Sequence, residues 1–228
     1  MMSMTTRLRR PEMVVRNREA VLAAARRVFL DRGYAGATLE MIAEEAGFSK
    51  GVVYSQFDSK ADLFLTLLNR RIDERAEQQE RIVDAHTGAE GLRALVERFS
   101  HDAAAESAWL RATIEFRALA SRDPEVNRRY AAAHARTVER FASALARLRP
   151  KAEVQPAVPE GLMAEFILAL SSGMVLEWAV NPAALPIDDV VRLVSRALGF
   201  TDLELAAPRP TESGAGLERA TRDRRSAR

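Results

Sequence analysis

The sequence contains no cysteine, and this absence removes several classes of protein from consideration. Disulfide frameworks, thiolate nucleophiles and zinc sites built on cysteine are excluded, and a chain without cysteine fits a reducing compartment. The 3 histidines, His86, His101 and His134, are too scattered along the sequence to suggest a metal cluster. The sequence therefore indicates neither a bound metal nor any other cofactor.

A long uninterrupted apolar run is also missing. The best candidate, residues 162–180, contains Glu165 and Glu177, whereas a membrane span needs about 20 predominantly apolar residues. No apolar core follows the arginines near the N-terminus, so this segment lacks the form of a secretory signal. We expect a cytoplasmic protein that has no membrane partner.

Apolar residues recur at helical spacing along most of the chain, and no stretch alternates long enough to predict a strand. The fold class is therefore predicted to be all-α. Caps and stops predict four N-terminal helices: one over about 17–32 that ends at Gly33, a short one after Thr38, one over 50–57 after Ser49, and a long one after Ser59. Later helices are predicted over about 108–121, 124–149, 159–180 and 187–198.

Composition divides the chain into four segments. Residues 1–14 form a basic arm that we expect to be disordered, and residues 201–228 have the proline, glycine and charge content of a disordered tail. Between them we predict a helical DNA-binding domain over 15–75 and a second helical domain over 76–200. The basic arm suits a polyanion and suits a solubilising terminus equally well.

The second and third predicted helices together have the size of a helix-turn-helix, whose second helix enters the major groove of DNA. In a helix over 50–57, Val53 and Phe57 face inward, whereas Gly51 and Ser55 face outward. Glycine inside a helix costs about 1 kcal/mol relative to alanine, and close approach to a phosphate would explain Gly51. The pattern therefore predicts a surface that approaches nucleic acid.

Larger side chains on and beside this helix complete the predicted DNA contact. Lys50, Tyr54 and Lys60 are placed to reach phosphates. Gln56 can read adenine through a bidentate pair, and Val52 can contact a thymine methyl group. Each residue alone has an ordinary structural explanation, so the prediction depends on their combination.

The segment AARRVFLDRGYAGATLEMIAEEAGFSKGVVYSQFDSKADLF resembles the TetR (tetracycline repressor) family of bacterial transcription regulators. It follows that family's order of first helix, Gly-aromatic, Thr-led second helix, Ala-Gly-x-Ser, Gly-x-x-Tyr-x-x-Phe and Ser-Lys. The resemblance covers residues 15–73, and the remainder is similar only in its helical layout. It implies a homodimer that binds a near-palindromic operator and releases it when a small-molecule effector enters the C-terminal domain.

The resemblance also implies a set of DNA-contacting residues. Four positions match contacts to the DNA backbone: Thr38, Ser49, Tyr54 and Lys60. Five others match positions that approach bases or adjacent phosphates: Lys50, Gly51, Val52, Ser55 and Gln56. Many members have threonine at the position of Val52 and histidine or an aromatic residue at 55 or 56, so no operator preference is carried over.

The C-terminal half offers a dimer surface and a ligand site. Residues 159–180 and 187–198 are apolar enough to form a four-helix bundle with a second copy, although burial within one chain explains the same pattern. Four residues are predicted to contact an effector: Trp109 and Phe116 as apolar walls, and Glu115 and Glu177 as polar anchors. Aromatic residues of this kind are more often part of a core, and a glutamate anchor would favour a cationic ligand.

Two other classes of protein compete with a ligand-responsive repressor. An all-α enzyme is disfavoured because the sequence has no glycine-rich phosphate loop, no carboxylate-histidine metal spacing and no serine elbow. His101 and Asp102 are adjacent, but neighbours on a helix point in different directions. A helical interaction protein that does not bind DNA is the other alternative. We predict that the chain is not an enzyme.

Overall fold

The computed structural model describes residues 10–88, 90, 91, 94, 95, 98, 103–148, 158–181, 183–186, 189, 190, 192 and 193. The described residues form helices and no strand, which confirms the all-α prediction. The helices with described bounds are α1 (Arg10–Gly36), α2 (Leu39–Ala46), α3 (Lys50–Tyr54), α4 (Lys60–Ala85), α5 (Ala103–Ala120), α6 (Pro124–Leu148) and α7 (Glu160–Val180). Further helical residues are described within 88–98 and 189–193.

Helix α1 begins earlier than its periodicity predicted. It starts at Arg10 rather than near Asn17, and Glu12 stabilises its first turn because an acidic side chain interacts favourably with the positive end of a helix. Residues 10–14, expected to belong to a disordered arm, are therefore helical. The rest of the arm and the tail over 201–228 lie outside the described residues.

Side-chain caps set the boundaries of the next helices. Thr38 Oγ1 accepts a hydrogen bond from Met41 N at 3.2 Å, and Ser59 Oγ accepts one from Asp62 N at 3.0 Å. Gly47 ends α2 in the left-handed conformation, with φ 70°. These starts and stops agree with the signals that the sequence carries.

Helix α3 is shorter than predicted, because it ends at Tyr54 rather than at Phe57. Ser55 Oγ donates to Val52 O at 2.8 Å, and Gln56 N donates to Val53 O at 3.0 Å. The second of these bonds spans three residues and tightens the chain into a turn. Gln56 therefore follows the helix instead of lying on it.

The C-terminal helices lie close to their predicted positions. Asp123 Oδ1 accepts from Glu125 N at 3.0 Å and Val126 N at 3.1 Å, which caps the start of α6 beside Pro124. Helix α5 begins at Ala103, earlier than predicted. Most of the helix predicted over 187–198 lies outside the described residues.

One hydrophobic core joins the first four helices to α5 and α6. Phe64 on α4 is fully buried at its centre. Its ring centroid lies 5.1 Å from those of Phe29, Tyr34 and Trp109, and 4.7 Å from that of Phe116. Because Trp109 and Phe116 belong to α5, the predicted domain boundary near residue 75 does not separate two cores. A second core lies between α6 and α7, around Phe141 and Ile167.

Helix α1 has a break at Gly33, and a carboxylate from α5 binds the backbone just beyond it. Glu115 Oε2 accepts a hydrogen bond from Ala35 N at 2.9 Å, just beyond that break. Gly33 has φ 70° and ψ 176°, a conformation that is essentially restricted to glycine. A Cβ atom at this position would lie 2.6 Å from Glu115 Oε2. Glycine is therefore required by the backbone conformation, and it also leaves room for the Glu115 carboxylate.

Helix α7 combines a packed face with an exposed apolar stripe. In the part of the chain that the structure describes, it alone is long and apolar enough to span a membrane by length and composition, a test that core helices of soluble proteins also pass. It packs on α5 and α6. Its other face exposes apolar side chains at helical spacing: Leu162, Phe166, Ala169, Leu176 and Val180.

Gly33→Ala should lower the free energy of unfolding by about 1–3 kcal/mol, because an alanine has to adopt a conformation suited only to glycine. Gly36→Ala is the matched control, since its added Cβ would meet only Arg32 Cβ at 3.6 Å. Chemical denaturation followed by circular dichroism measures both variants. Equal stability of the two variants would show that the α1–α5 junction does not need Gly33.

Candidate nucleic-acid interface and ligand cavity

The outer face of helix α3 carries small side chains, which leave the helix backbone accessible. Val53 and Phe57 are buried and hold this segment against α1 and α2, as predicted. Ser49 precedes the helix, is exposed and makes no side-chain cap, so its hydroxyl is not used to start α3. Tyr54 is 52% exposed. The first turn of α3 and the tyrosine ring are therefore accessible together.

Gly51 has no internal role that the described contacts reveal. A Cβ added there would meet only Ser49 Oγ, at 3.8 Å, which is an ordinary contact. Its backbone has helical geometry, so the fold does not require a glycine for conformation. Gly51 therefore makes the helix less stable, and the space beside it is open only to a molecule outside the chain.

Charge on this face is paired but exposed. Lys50 Nζ lies 3.2 Å from Glu40 Oε1, and more than two fifths of each side chain is accessible. An exposed pair of this kind contributes little to stability, so a phosphate can displace the carboxylate at little cost. Lys50 is therefore available to an anion that approaches α3.

Three other predicted DNA contacts have internal partners. Thr38 Oγ1 caps α2, and Ser55 Oγ donates to the chain's own backbone. Gln56 is half-buried, and its side-chain oxygen accepts no hydrogen bond. Its backbone oxygen accepts from Arg18 at 2.8 Å, which fixes the turn after α3. Base reading by Gln56 would require its side chain to turn outward.

Lys60 is held by backbone oxygens at the end of α1. Its Nζ atom donates to Tyr34 O and Ala37 O, each at 2.8 Å, and lies 4.5 Å from the centre of the Tyr34 ring. Burial lowers the pKa of the Lys60 ammonium, and the charge of Glu115 opposes that shift. An ammonium group has three N–H donors, so one remains for a phosphate.

A cavity of about 210 Å³ lies between α4, α5, α6 and α7. Trp109, one of the predicted effector contacts, lines it and is 5% exposed. The Trp109 ring stacks on that of Phe64. This residue therefore belongs to the cavity wall and to the core at once.

The other three predicted effector contacts occupy different places. Phe116 is buried in the core beneath the cavity, and Glu115 binds the backbone of α1. Glu177 is exposed near the end of α7. None of the three is among the described residues that line the cavity. Their residue types and apolar surroundings in the sequence suggested a ligand site, but neighbouring positions on α5 face different partners.

The cavity is also lined by four charged residues and a histidine that sequence reasoning missed. They are Arg71, Arg75, Arg117, Glu165 and His134. His134 Nε2 and Glu165 Oε2 lie 3.1 Å apart, on two helices that are distant in sequence. Arginines four residues apart beside Leu68 and Ile72 were the available sequence signal, because residues at that spacing share one helix face.

Two family models match the chain. Residues 21–67 match the model described as bacterial regulatory proteins, tetR family. Residues 88–199 match the model described as BetI-type transcriptional repressor, C-terminal. The first range contains α2, α3 and the junction with α4, and the second contains three of the helices that surround the cavity.

The chain is similar to curated transcriptional regulators and to solved structures. The transcriptional repressor AcnR of Corynebacterium efficiens is 25% identical over 82% of this chain and 95% of its own length. The transcriptional activator FasR of Mycolicibacterium smegmatis is 41% identical, but the match spans only 36% of this chain and 38% of FasR. The structure of FadR from Bacillus subtilis in complex with stearoyl-CoA matches with TM-score 0.60 and 19% identity, over 79% of this chain and 96% of that chain. At this identity the structural match shows the fold alone.

Gly51→Ala should raise the free energy of unfolding by up to about 1 kcal/mol, because alanine is the better helix former and finds open space. The same methyl group should lower affinity for duplex DNA at least tenfold by holding α3 away from the backbone. Denaturation and fluorescence anisotropy on one preparation measure the two effects. Gly161→Ala, on α7, is the control that should leave DNA affinity unchanged. An unaltered DNA affinity for Gly51→Ala would remove the reason given for this glycine.

Proposed function

Because this chain belongs to the tetR family of bacterial regulatory proteins, we propose that it is a homodimeric repressor that a small-molecule effector releases from a palindromic operator. The observation that carries the proposal is the open outer face of α3, where a glycine without an internal role stands between an exposed serine and an exposed tyrosine. Repression is favoured over activation because AcnR of Corynebacterium efficiens, a repressor, matches over nearly its whole length.

The DNA-binding surface is proposed to divide into two kinds of contact. Thr38, Ser49, Tyr54 and Lys60 contact the DNA backbone, with Lys60 using the one donor that its internal bonds leave. Lys50, Gly51, Val52, Ser55 and Gln56 approach bases or adjacent phosphates. The outer face of α3 supports this division, because small side chains there let the helix backbone come close to the groove floor.

The second copy is proposed to cover the exposed stripe of α7. Phe166 is 51% exposed and Leu162 is 62% exposed, and both lie on the face that points away from α5 and α6. Association of this stripe with its copy would bury apolar surface in a four-helix bundle. A dimer of this kind presents two α3 helices, which explains why a palindromic operator is expected. We expect the assembly to act in the cytoplasm, where the DNA is.

The effector is proposed to bind in the cavity between α4, α5, α6 and α7. Trp109 supplies a wall that is continuous, through Phe64, with the aromatic residues around Tyr34. A ligand that displaces Trp109 would therefore disturb the packing that positions α1 and the start of α4. This coupling requires the ligand to favour one arrangement of the core over the other.

Selection of bound sequences from a random duplex pool tests operator binding. Purified protein should enrich a palindrome with two half-sites, and the affinity should fall by on the order of 10³-fold between 50 and 200 mM salt as phosphate contacts release counterions. Lys50→Gln should weaken DNA binding and make the affinity depend less steeply on salt. Arg128→Gln, which changes an exposed arginine on α6, should do neither. If no sequence is enriched in the pool after selection, the proposed function is wrong.

Phe166→Glu should convert the dimer to a monomer and lower operator affinity at least tenfold, because each monomer then holds one half-site. Light scattering after size exclusion measures the mass, and anisotropy measures the affinity. Leu119→Glu is the matched control, since Leu119 is an exposed leucine on α5 outside the stripe. If Phe166→Glu stays dimeric, the stripe on α7 is not the interface.

A further inference from the structure

One peptide group of α1 lies between two opposite charges that come from different parts of the chain. It is the group that joins Tyr34 to Ala35, just beyond the break at Gly33. Its N–H donates to Glu115 Oε2 at 2.9 Å, and its carbonyl oxygen accepts from Lys60 Nζ at 2.8 Å. The carboxylate belongs to α5, and the ammonium belongs to the first residue of α4. A single peptide plane therefore connects a helix that lines the cavity to a residue proposed to contact DNA.

The orientation of this peptide group suits both charges. A peptide dipole has its positive end at the N–H and its negative end at the carbonyl oxygen, so each end meets a charge of the opposite sign. Hydrogen bonds to ionised groups are about twice as strong as bonds between neutral groups. The peptide group is thus held from both ends, and its orientation depends on the carboxylate as well as on the ammonium.

Further contacts keep the two charged side chains at this peptide group. Lys60 Nζ also donates to Ala37 O at 2.8 Å and lies 4.5 Å from the centre of the Tyr34 ring. Both carboxylate oxygens of Glu115 lie over Gly33, where an added Cβ atom would be 2.6 and 2.7 Å from them. The glycine therefore leaves the space through which the carboxylate reaches the backbone of α1.

Helix α5 places Glu115 and the cavity residues on different sides. Trp109, Thr113 and Arg117 line the cavity and are four residues apart, so they share one face of the helix. Glu115 is not among the described lining residues and binds α1 instead. Because a helix is a rigid element, a molecule that displaces the cavity face of α5 also displaces the side that holds α1.

We propose that Glu115 is a positioning residue for DNA binding, which holds the ammonium of Lys60 toward an operator phosphate through the peptide group of Tyr34 and Ala35. Lys60 makes the DNA contact, and Glu115 acts only through it. An effector that shifts α5 withdraws the carboxylate, lets the peptide group turn and leaves Lys60 without a fixed position. This inference rests on the proposed function, because it assigns a role within operator binding and release.

The titration of Lys60 tests the peptide link without DNA. The lysines of the chain are Lys50, Lys60 and Lys151, so side-chain NMR of lysine-labelled full-length protein can follow each of them. Burial lowers the pKa of the Lys60 ammonium, and the charge of Glu115 opposes that shift. Glu115→Gln keeps an acceptor oxygen but removes the charge, so Lys60 should titrate at a lower pH than in the unaltered protein. The titration of Lys50 should not change.

Operator affinity, measured by anisotropy with the enriched duplex, tests whether Glu115 acts through Lys60. Lys60→Gln should lower the affinity about tenfold, and Glu115→Gln should lower it at least about threefold. In a chain that already carries Lys60→Gln, adding Glu115→Gln should change the affinity by less than about twofold, because no ammonium is left to position. Glu139→Gln, which changes an exposed glutamate on α6, is the matched control and should alter neither readout.

Additive effects of the two substitutions, an operator affinity that Glu115→Gln leaves unchanged, or a Lys60 titration that Glu115→Gln leaves unchanged overturns the inference. If Glu115→Gln unfolds, Glu115→Asp replaces it in the same cycle, since it retracts the carboxylate by one methylene group, and its effect should also vanish beside Lys60→Gln. If the inference fails while the unaltered protein retains the enriched duplex, the proposed function stands. If no duplex is enriched, the proposed function is wrong, and the role of Glu115 in DNA binding is wrong with it.

Discussion

The stacking of Phe64 against aromatic residues from both halves of the chain is the interaction on which the structure depends. Its ring contacts Phe29 and Tyr34 from α1 and Trp109 and Phe116 from α5. Each aromatic pair contributes about 0.5–1.5 kcal/mol beyond its buried area, so the cluster is a large part of the stability of this region. The helices that carry the DNA-binding surface and the helix that lines the cavity are therefore packed in one core.

Sharing a core gives the chain a short physical route between two surfaces. Trp109 forms the cavity wall, Phe64 separates it from Tyr34, and Tyr34 lies beneath the ammonium of Lys60. Glu115 adds a second connection, because its carboxylate binds the backbone just after Gly33. Close-packed interiors transmit strain and deform little, so a shift of α5 has to move α1 or α4 with it.

The positions proposed to contact DNA differ in how many contacts they already make within the chain. Ser49 and Tyr54 are exposed, and nothing inside the chain requires Gly51 to be a glycine. Lys60 is bound to two carbonyl groups at the end of α1, so it stabilises the junction before it contacts any phosphate. A face whose residues make few contacts within the chain is typical of a surface that binds a partner, since its residue types are otherwise hard to explain.

Local signals made the N-terminal half predictable from the sequence. The caps at Thr38 and Ser59 and the stop at Gly47 are each set by residues within four positions, and the structure has them as predicted. The resemblance to the TetR family is confirmed by the two family models.

The cavity was less predictable, because its polar residues meet only through tertiary packing. His134 and Glu165 lie on different helices, and nothing local to either residue indicates their contact. Glu115 was assigned to a ligand for the same reason, since its actual partner is the amide of Ala35, far away in the sequence. The early end of α3 depends on one turn bond at Gln56 that helical periodicity does not reveal.

Hydrogen exchange on the full chain, with and without its selected operator duplex, tests the central claim most directly. Coupling between sites is reciprocal, so DNA binding at α3 has to change the stability of the residues around the cavity if one core connects the two sites. The account predicts slower amide exchange over residues 38–57 and also over the parts of α4 and α5 around Phe64 and Trp109. Slower exchange confined to residues 38–57 would contradict it, because the DNA-binding surface and the cavity would then behave as independent units.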